Sequence, residues 1–358
     1  MKNKLLIIQP QLSQYRLPIY EELSIFYEVH ILSDSISISL GFGNSKLTNT
    51  KIKQHIITPI TEFMNGKIIY QKNLIKHIRE IKPDKIYTYA NPHCVSYWIL
   101  LIYCLFTKIP IYSHSQGPYN KSKSLKYKIL YFLLAKLSTK VFLYVPYSLQ
   151  KIEELGLSKN KFQVIHNSIV NNYSILPVFK SYSKTEVLFI GRLREGCNID
   201  LLCDAIIELK NRGIYVKCHI IGSGVLKEFY IEKYKNCNLV RFYGQVYEQD
   251  RISEISKNCI IGCYPGNAGL SVVHYMSLSL PCLVHNNLSK HQGPEPSYII
   301  DKYNGRLFQY GDKENFSLVF TEMLNETDLQ YYGNNAYKTY IELTEPSYAQ
   351  RIINALED

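Results

Sequence analysis

Gly266-Asn267-Ala268-Gly269-Leu270-Ser271 lies between an apolar run that reads as a strand end and a segment that reads as a helix beginning near Ser271. Small residues at such a turn let backbone N–H groups approach an anion closely, and the helix dipole favours a phosphate there. No carboxylate occurs anywhere between Tyr264 and Asn287. Arg192 follows the apolar run Val187–Ile190 and Gly191, which puts a guanidinium at the carboxyl end of a strand, and its fixed fork of donors suits a diphosphate. His274, one turn into the helix, can hydrogen-bond a hydroxyl in its neutral form or be satisfied inside the core. Glu295, in HQGPEPSY, is the nearest carboxylate on the loop leading away from the following strand and a candidate for contact with a ligand hydroxyl.

The elements needed to position these residues repeat one theme twice. Short apolar runs at Leu5–Ile8, Val29–Leu32, Ile86–Tyr89, Ile109–Tyr112, Val141–Tyr144 and Val164–Ile165 are mostly separated by helical stretches. The theme restarts at Val187–Ile190, Val216–Ile221, Leu239–Phe242, Cys259–Cys263 and Cys282–Val284. Within 200–211, Leu201, Leu202, Ala205, Ile206 and Leu209 form one stripe at helical spacing. Strands alternating with helices predict an α/β protein with parallel sheets covered on both faces. The polar, proline-containing segment 170–184 separates the two sets and reads as a linker. The expected division is therefore an N-terminal domain over 1–169, a C-terminal domain over 185–335, and a terminal helical segment over 336–358 that packs back toward the first domain. Two doubly wound domains are expected to face each other across a ligand crevice at the carboxyl ends of their sheets.

Composition narrows the class further. The 358 residues carry a net charge of +11, unevenly divided: residues 1–170 hold 22 Lys+Arg against 9 Asp+Glu, whereas residues 171–358 hold 19 against 21. A basic front half fits an anionic partner such as nucleic acid, a membrane surface or a pyrophosphate-bearing substrate. Lys121, Lys123, Lys126 and Lys128 precede the apolar run Ile129–Ala135, so 121–136 reads either as a helix lying on an anionic bilayer or as a core helix with a wet first turn. VSYWILLIYCLF, 95–106, is shorter than the roughly 20 residues a membrane-crossing helix needs and reads as a buried core helix. The apolar run Leu5–Ile8 is too short for the apolar region of a signal peptide, so a cytoplasmic location is expected. Nine cysteines without C-x-x-C pairing or metal-ligand spacing read as free thiols in a reducing compartment.

From about residue 160 to 325 the chain resembles glycosyltransferase family 4, the retaining GT-B enzymes that transfer a sugar from a nucleotide diphosphate. The segments that carry the likeness are KFQVIHNSI, VLFIGRLREGCNIDLLCDAI, CHIIGSG, VRFYGQV, GNAGLSVVHYMSLSLPCLV and GPEPSYIIDKYNGRLF, in the family's order and spacing. The front half resembles it more weakly, through QLSQYRLPIYEEL, IKPDKIYTY and IPIYSHSQG. The resemblance implies that Arg192 and the loop Asn267, Ala268, Gly269, Leu270 and Ser271 hold the donor diphosphate. It implies that the segment ending at Val246 borders the base, and that His114 or Gln116 reaches the transferred sugar. Tyr15 and Arg16, in the turn after the first strand, become candidates for contact with acceptor or donor phosphate.

The chain also departs from the family. The two glutamates of the donor motif are replaced by Gly266 and His274, and a family lysine near the leaving phosphates is replaced by Cys197. The implied chemistry is displacement of a nucleoside diphosphate by an acceptor hydroxyl, with retention, no cofactor and no metal; no Asp-x-Asp occurs in the chain. The implied partners are a nucleotide-sugar donor and a glycan or polyprenyl-pyrophosphate-linked acceptor of a bacterial surface polysaccharide such as capsule or lipopolysaccharide, with no nucleic acid. A catalytically inactive GT-B partner and a nucleotide-sugar epimerase are the competing readings.

Overall fold

A computed structural model describes residues 2–34, 51–64, 67–120, 124–176, 180 and 185–358. It divides into two compact units, 1–167 with 346–358, and 168–345. In the first unit the elements run β1 (Lys4–Gln9), α1 (Leu17–Phe26), β2 (Glu28–Asp34), β3 (Gln54–Thr58), β4 (Ile60–Phe63), β5 (Ile68–Gln71), α2 (Leu74–Ile81), β6 (Lys85–Tyr89) and α3 (Val95–Thr107). They continue with β7 (Ile111–Ser115), α4 (Leu125–Leu137), β8 (Lys140–Leu143), α5 (Pro146–Glu154) and β9 (Phe162–Val164). Seven of these strands form one parallel sheet in the order β3-β2-β1-β6-β7-β8-β9, and β4 and β5 make a separate antiparallel hairpin.

The second unit runs β10 (Glu186–Ile190), α6 (Ile199–Asn211), β11 (Lys217–Ile221), α7 (Lys227–Tyr234), β12 (Val240–Gly244), α8 (Gln249–Ser256) and β13 (Cys259–Cys263). It ends with α9 (Ser271–Ser277), β14 (Cys282–His285), β15 (Gly305–Phe308), α10 (Lys313–Leu324) and α11 (Leu329–Thr344). Its parallel sheet has the order β12-β11-β10-β13-β14-β15. The last helix, α12 (Tyr348–Glu357), belongs to the first unit. Its Tyr348 hydroxyl meets that of Tyr87 at 3.2 Å, and Glu357 pairs with Lys85 at 2.9 Å.

Both sheets reverse their strand order at one point, between β1 and β6 and between β10 and β13. The loops leaving the carboxyl ends of such a strand pair diverge and leave a gap between them, where ligands of doubly wound sheets bind. Burial on both faces explains the near-continuous apolar strands: Leu5, Leu6 and Ile7 of β1 and Val187, Leu188 and Phe189 of β10 are fully buried.

Several boundaries differ from the sequence reading. Residues 336–345 complete α11 inside the second unit, where Ala336, Tyr340 and Leu343 join its core, so the segment that returns to the first unit begins at Pro346. The front of the linker is packed rather than free: Asn171 donates to the Ser277 hydroxyl at 2.8 Å and the Ile175 N–H to the Ser277 carbonyl at 3.0 Å. Residues 177–179 and 181–184 of the linker lie outside the described residues, as do Lys121 and Lys123. Helix α3 is not a buried core helix: Tyr97, Leu100, Leu101 and Cys104 face the core, but Val95, Ile99, Ile102, Leu105 and Phe106 are exposed. Among the described residues no helix is long and apolar enough to cross a membrane. All nine cysteines are free and buried.

Candidate active site

In the second unit the switch point gathers most of the residues expected to hold the donor. Arg192 stands two residues beyond β10, and the loop Tyr264–Leu270 leaves the neighbouring β13. Burial raises the Tyr264 phenol to about 12, with Arg194 and Arg192 tempering the rise, so both guanidiniums lie near the root of the loop. Arg194 braces that loop, donating from Nη2 to the Asn267 carbonyl at 3.4 Å and to the Gln292 side chain. The Asn267 N–H donates to the Gly196 carbonyl at 2.8 Å. The N–H groups of Gly269, Leu270 and Ser271, by contrast, donate to no acceptor among the described residues. Three consecutive unused donors at the start of a helix, on the loop leaving the strand next to the one that Arg192 follows, form a candidate anion site. The helix is only seven residues long, so these local donors, more than a macrodipole, supply the field.

The shape of the loop follows from close packing. A Cβ on Gly266 would stand 2.1 Å from the Gly196 carbonyl oxygen and 2.6 Å from the Cys197 carbonyl carbon. Gly222 has φ +147°, and its Cβ would overlap the Gly191 carbonyl oxygen at 1.8 Å, so the turn after β11 also requires glycine. Cys197 is fully buried with its Sγ 3.6 Å from the Tyr230 hydroxyl, an environment hostile to a lysine ammonium.

His291 was not singled out by the sequence, where no periodicity or motif marks it, yet it fixes the loop from below. Its Nδ1 accepts from the Ala268 N–H at 3.1 Å and its Nε2–H donates to the His285 carbonyl at 3.0 Å, which requires the neutral ring. The ring stacks on that of His285 with centroids 3.7 Å apart. Glu295 is also buried, with Oε2 within 3.8 Å of where a Gly269 Cβ would stand. His274 is half-buried, and its Nε2 is shielded from solvent without a protein partner. Val246 is half-buried, packed on the core just beyond β12.

In the first unit the switch point opens a cavity of about 350 Å³ lined by Gln9, Tyr15, Arg16, Tyr89, Asn91 and His114 among others. His114, the fourth residue of β7, is buried with both ring nitrogens engaged: Nε2 meets the Gln9 amide at 2.6 Å and Nδ1 the Tyr144 hydroxyl at 3.1 Å. Tyr87 stacks on its ring at 4.8 Å. Burial, with Arg16 nearby, holds His114 neutral down to about pH 3, so it carries no charge near neutrality and serves to hold Gln9 and Tyr144 in place. The Arg16 guanidinium sits 5.0 Å from the ring centroids of both Tyr15 and Tyr348 and donates to the Asn167 side chain. That sandwich turns the charge of Arg16 toward holding the cavity wall together. Gln116, just past β7, is half-buried, and its carbonyl accepts from Ser148.

One cluster among the described residues approaches metal-ligand spacing: Glu186, His219 and Cys259, whose ligand atoms lie within 4.8 Å of one another. It sits toward the amino ends of β10, β11 and β13, away from the loops described above. Glu186 already pairs with His219 at 3.0 Å and with Lys217 at 3.4 Å, so its charge is balanced within the chain.

The buried neutral histidines give a pH dependence. Burial lowers His114 and His291 to about 3 and His274 to about 4, against an unfolded value near 6.5. The unfolded chain therefore binds more protons below pH ~6.5, and stability present above that value is lost as pH falls toward 4. Each group removes roughly 2 kcal/mol by pH ~5. Thermal melts should fall steeply between pH ~7 and pH ~5; a melting temperature flat across that interval would contradict neutral burial.

Residues 178–339 match the family described as glycosyl transferases group 1. No curated protein matches the chain. Among solved structures, HepE of Anabaena in complex with UDP is 15% identical, with a TM-score of 0.70 and 100% of both chains covered. The lipopolysaccharide outer core galactosyltransferase WaaB is 15% identical at a TM-score of 0.65, with 99% of both chains covered. Sucrose-phosphate synthase of Thermosynechococcus elongatus is 11% identical at a TM-score of 0.72, covering 99% of this chain and 98% of that one. These likenesses establish the GT-B fold.

Proposed function

Starting from a chain of the GT-B fold whose residues 178–339 place it among the glycosyl transferases group 1, and which is therefore a glycosyltransferase, we propose that it moves a sugar, with retention, from a nucleoside diphosphate to a hydroxyl of a glycan or lipid-linked acceptor in surface polysaccharide synthesis. The observation that carries this reading is that the three unused N–H donors of Gly269, Leu270 and Ser271 and the position of Arg192 follow adjacent strands, β13 and β10, at the switch point of the second sheet. The bond between the anomeric carbon and the diphosphate breaks, and charge grows on the leaving oxygens. Groups already aimed at that position stabilise it most, because they need not reorganise. In this reading Arg192 and the loop meet that charge without a metal, and a leaving phosphate oxygen takes the acceptor proton. The UDP found in HepE supports a uridine nucleotide as the first donor to try, and the WaaB likeness supports an acceptor of the lipopolysaccharide type.

In the first unit, the tyrosine-lined cavity around His114 suits a carbohydrate: aromatic faces pack on pyranose C–H groups, and the amides of Gln9 and Asn91 offer hydrogen bonds to hydroxyls. Incubation with a panel of nucleotide sugars, with and without EDTA, tests the proposal. Release of nucleotide from one donor, insensitive to EDTA, is expected. Interconversion of the sugar without release would indicate an epimerase, and no binding at all would indicate an inactive partner.

His274 provides a finer test. If its neutral ring serves the ribose in place of a carboxylate, loss of one or two hydrogen bonds at about 1 kcal/mol each makes the His274→Ala variant bind UDP roughly five- to tenfold more weakly. Calorimetric titration measures this; unchanged affinity in a normally melting variant removes His274 from the site.

A further inference from the structure

The exposed side of α3 carries Val95, Ile99, Ile102 and Phe106 at helical spacing, with Leu105 beside them, and Phe106 is 81% exposed. The neighbouring α4 repeats the pattern with Leu125, Ile129, Phe132 and Leu133, and Leu125 is 70% exposed. Single exposed apolar residues are ordinary, but two parallel stripes on packed neighbouring helices are a contiguous patch that calls for a partner. The topology puts both stripes on one side of the sheet. From β6 through β7 to β8 the strands advance in a single direction, and right-handed crossovers then place α3 and α4 on the same face. Both helices turn their other side to one core cluster, through Tyr97, Leu100 and Leu101 of α3 and Tyr131 and Leu134 of α4.

The charge around the patch identifies what covers it. Residues 85–152 contain nine lysines and neither aspartate nor glutamate. Lys108 stands exposed at the end of α3, and Lys126, Lys128 and Lys136 are exposed along α4. A second copy of this chain docked face to face would bring lysines against lysines with no acid to offset them. An anionic lipid surface matches both halves of the pattern, taking the apolar side chains at the headgroup boundary while ammonium groups meet lipid phosphates.

We propose that α3 and α4 together form a bilayer-docking surface that inserts Ile102, Phe106, Ile129 and Phe132 into the interface of an anionic membrane, with Lys108, Lys126, Lys128 and Lys136 at its rim. This stands independently of the transfer reaction and adds an inserted apolar face to the purely electrostatic contact that a lysine cluster alone would make. The two differ in salt response, since ion pairing is screened and apolar insertion is not.

Flotation with vesicles of phosphatidylcholine alone and of equimolar phosphatidylcholine and phosphatidylglycerol tests it. Wild type should float with the anionic vesicles and retain part of that binding in high salt. Ile102→Ser with Phe106→Ser, and separately Ile129→Ser with Phe132→Ser, should each weaken partitioning by about tenfold or more, given the apolar area withdrawn from the interface. Lys126→Ser with Lys128→Ser should weaken it by a similar factor at low salt only. UDP affinity and melting temperature should be unchanged in all three, since these side chains are exposed and belong to the other unit from the donor loop. The proposal is overturned if wild type fails to float with anionic vesicles, if the serine variants float as wild type does, or if sedimentation shows a wild-type dimer that the apolar variants convert to monomer.

Discussion

Replacing Arg192 by alanine should slow sugar transfer by on the order of a hundredfold or more while leaving the fold intact, the scale associated with losing one preorganised donor at a developing charge. A Cβ on Gly191 would meet the Tyr264 ring at 2.5 Å, so β10 and the root of the loop after β13 are in direct contact one residue before the guanidinium. Lysine at the same position should rescue only part of the rate, because a point charge cannot reproduce two parallel N–H bonds to a diphosphate. Arg194→Ala is the informative contrast. Its guanidinium already serves the Asn267 carbonyl and Gln292, so its loss should act through a looser loop and weaken donor binding more than turnover. Steady-state rates with the preferred donor, alongside thermal melts, separate these cases; an alanine variant at position 192 with full activity would place the leaving-group charge elsewhere.

Cys197 and Gly266, the positions at which the resemblance implies a lysine and a glutamate, are packed against each other in the structure. The position where a family lysine is expected holds a thiol sealed from solvent, and the position where a glutamate is expected holds a glycine whose Cβ would strike the backbone of that same Cys197. Sequence alone shows two losses far apart in the chain. The packing shows that the loop after β13 is pressed onto the segment after β10, which leaves no room for either long side chain. What survives at this point is backbone chemistry, and phosphate recognition can rest on N–H groups and one guanidinium.

The strands that carry the switch points were legible because both faces of a parallel sheet are buried and their apolar runs are continuous, as in Leu5–Ile8 and Cys259–Cys263. Strands β3, β4, β5 and β15 were not. They are short, and residues such as Gln54, Glu62 and Gly305 break the apolar signal that longer strands give. The apolar run of α3 misled for the opposite reason: composition reports how apolar a helix is, whereas which stripe meets the core depends on the sheet beneath it. His291 was invisible because its role depends on two backbone groups, at Ala268 and His285, that only the folded chain brings to its ring.

Gly269→Val is expected to abolish nucleotide binding without unfolding the domain, and the reason lies in what surrounds that position. A Cβ at Gly269 would have its nearest protein neighbours at 3.6 Å, the Gly293 nitrogen, and 3.8 Å, Glu295 Oε2, which is ordinary contact. Its φ is not in the left-handed region, so valine meets no backbone strain there. At Gly266, by contrast, any side chain would collide with the Gly196 and Cys197 backbone and disturb the fold itself. Position 269 thus separates ligand recognition from stability. A branched side chain there would stand over the N–H groups of Gly269, Leu270 and Ser271 and keep a phosphate from reaching them. Loss of three bonds to a charged group at about 1.5 kcal/mol each amounts to roughly 4.5 kcal/mol, on the order of a thousandfold in affinity. Alanine, smaller by two methyl groups, should cost far less. Calorimetric titration of both variants with UDP, GDP and TDP, with thermal melts as the control, decides the matter: a normally melting valine variant that binds its nucleotide like wild type would show that these three donors hold no phosphate.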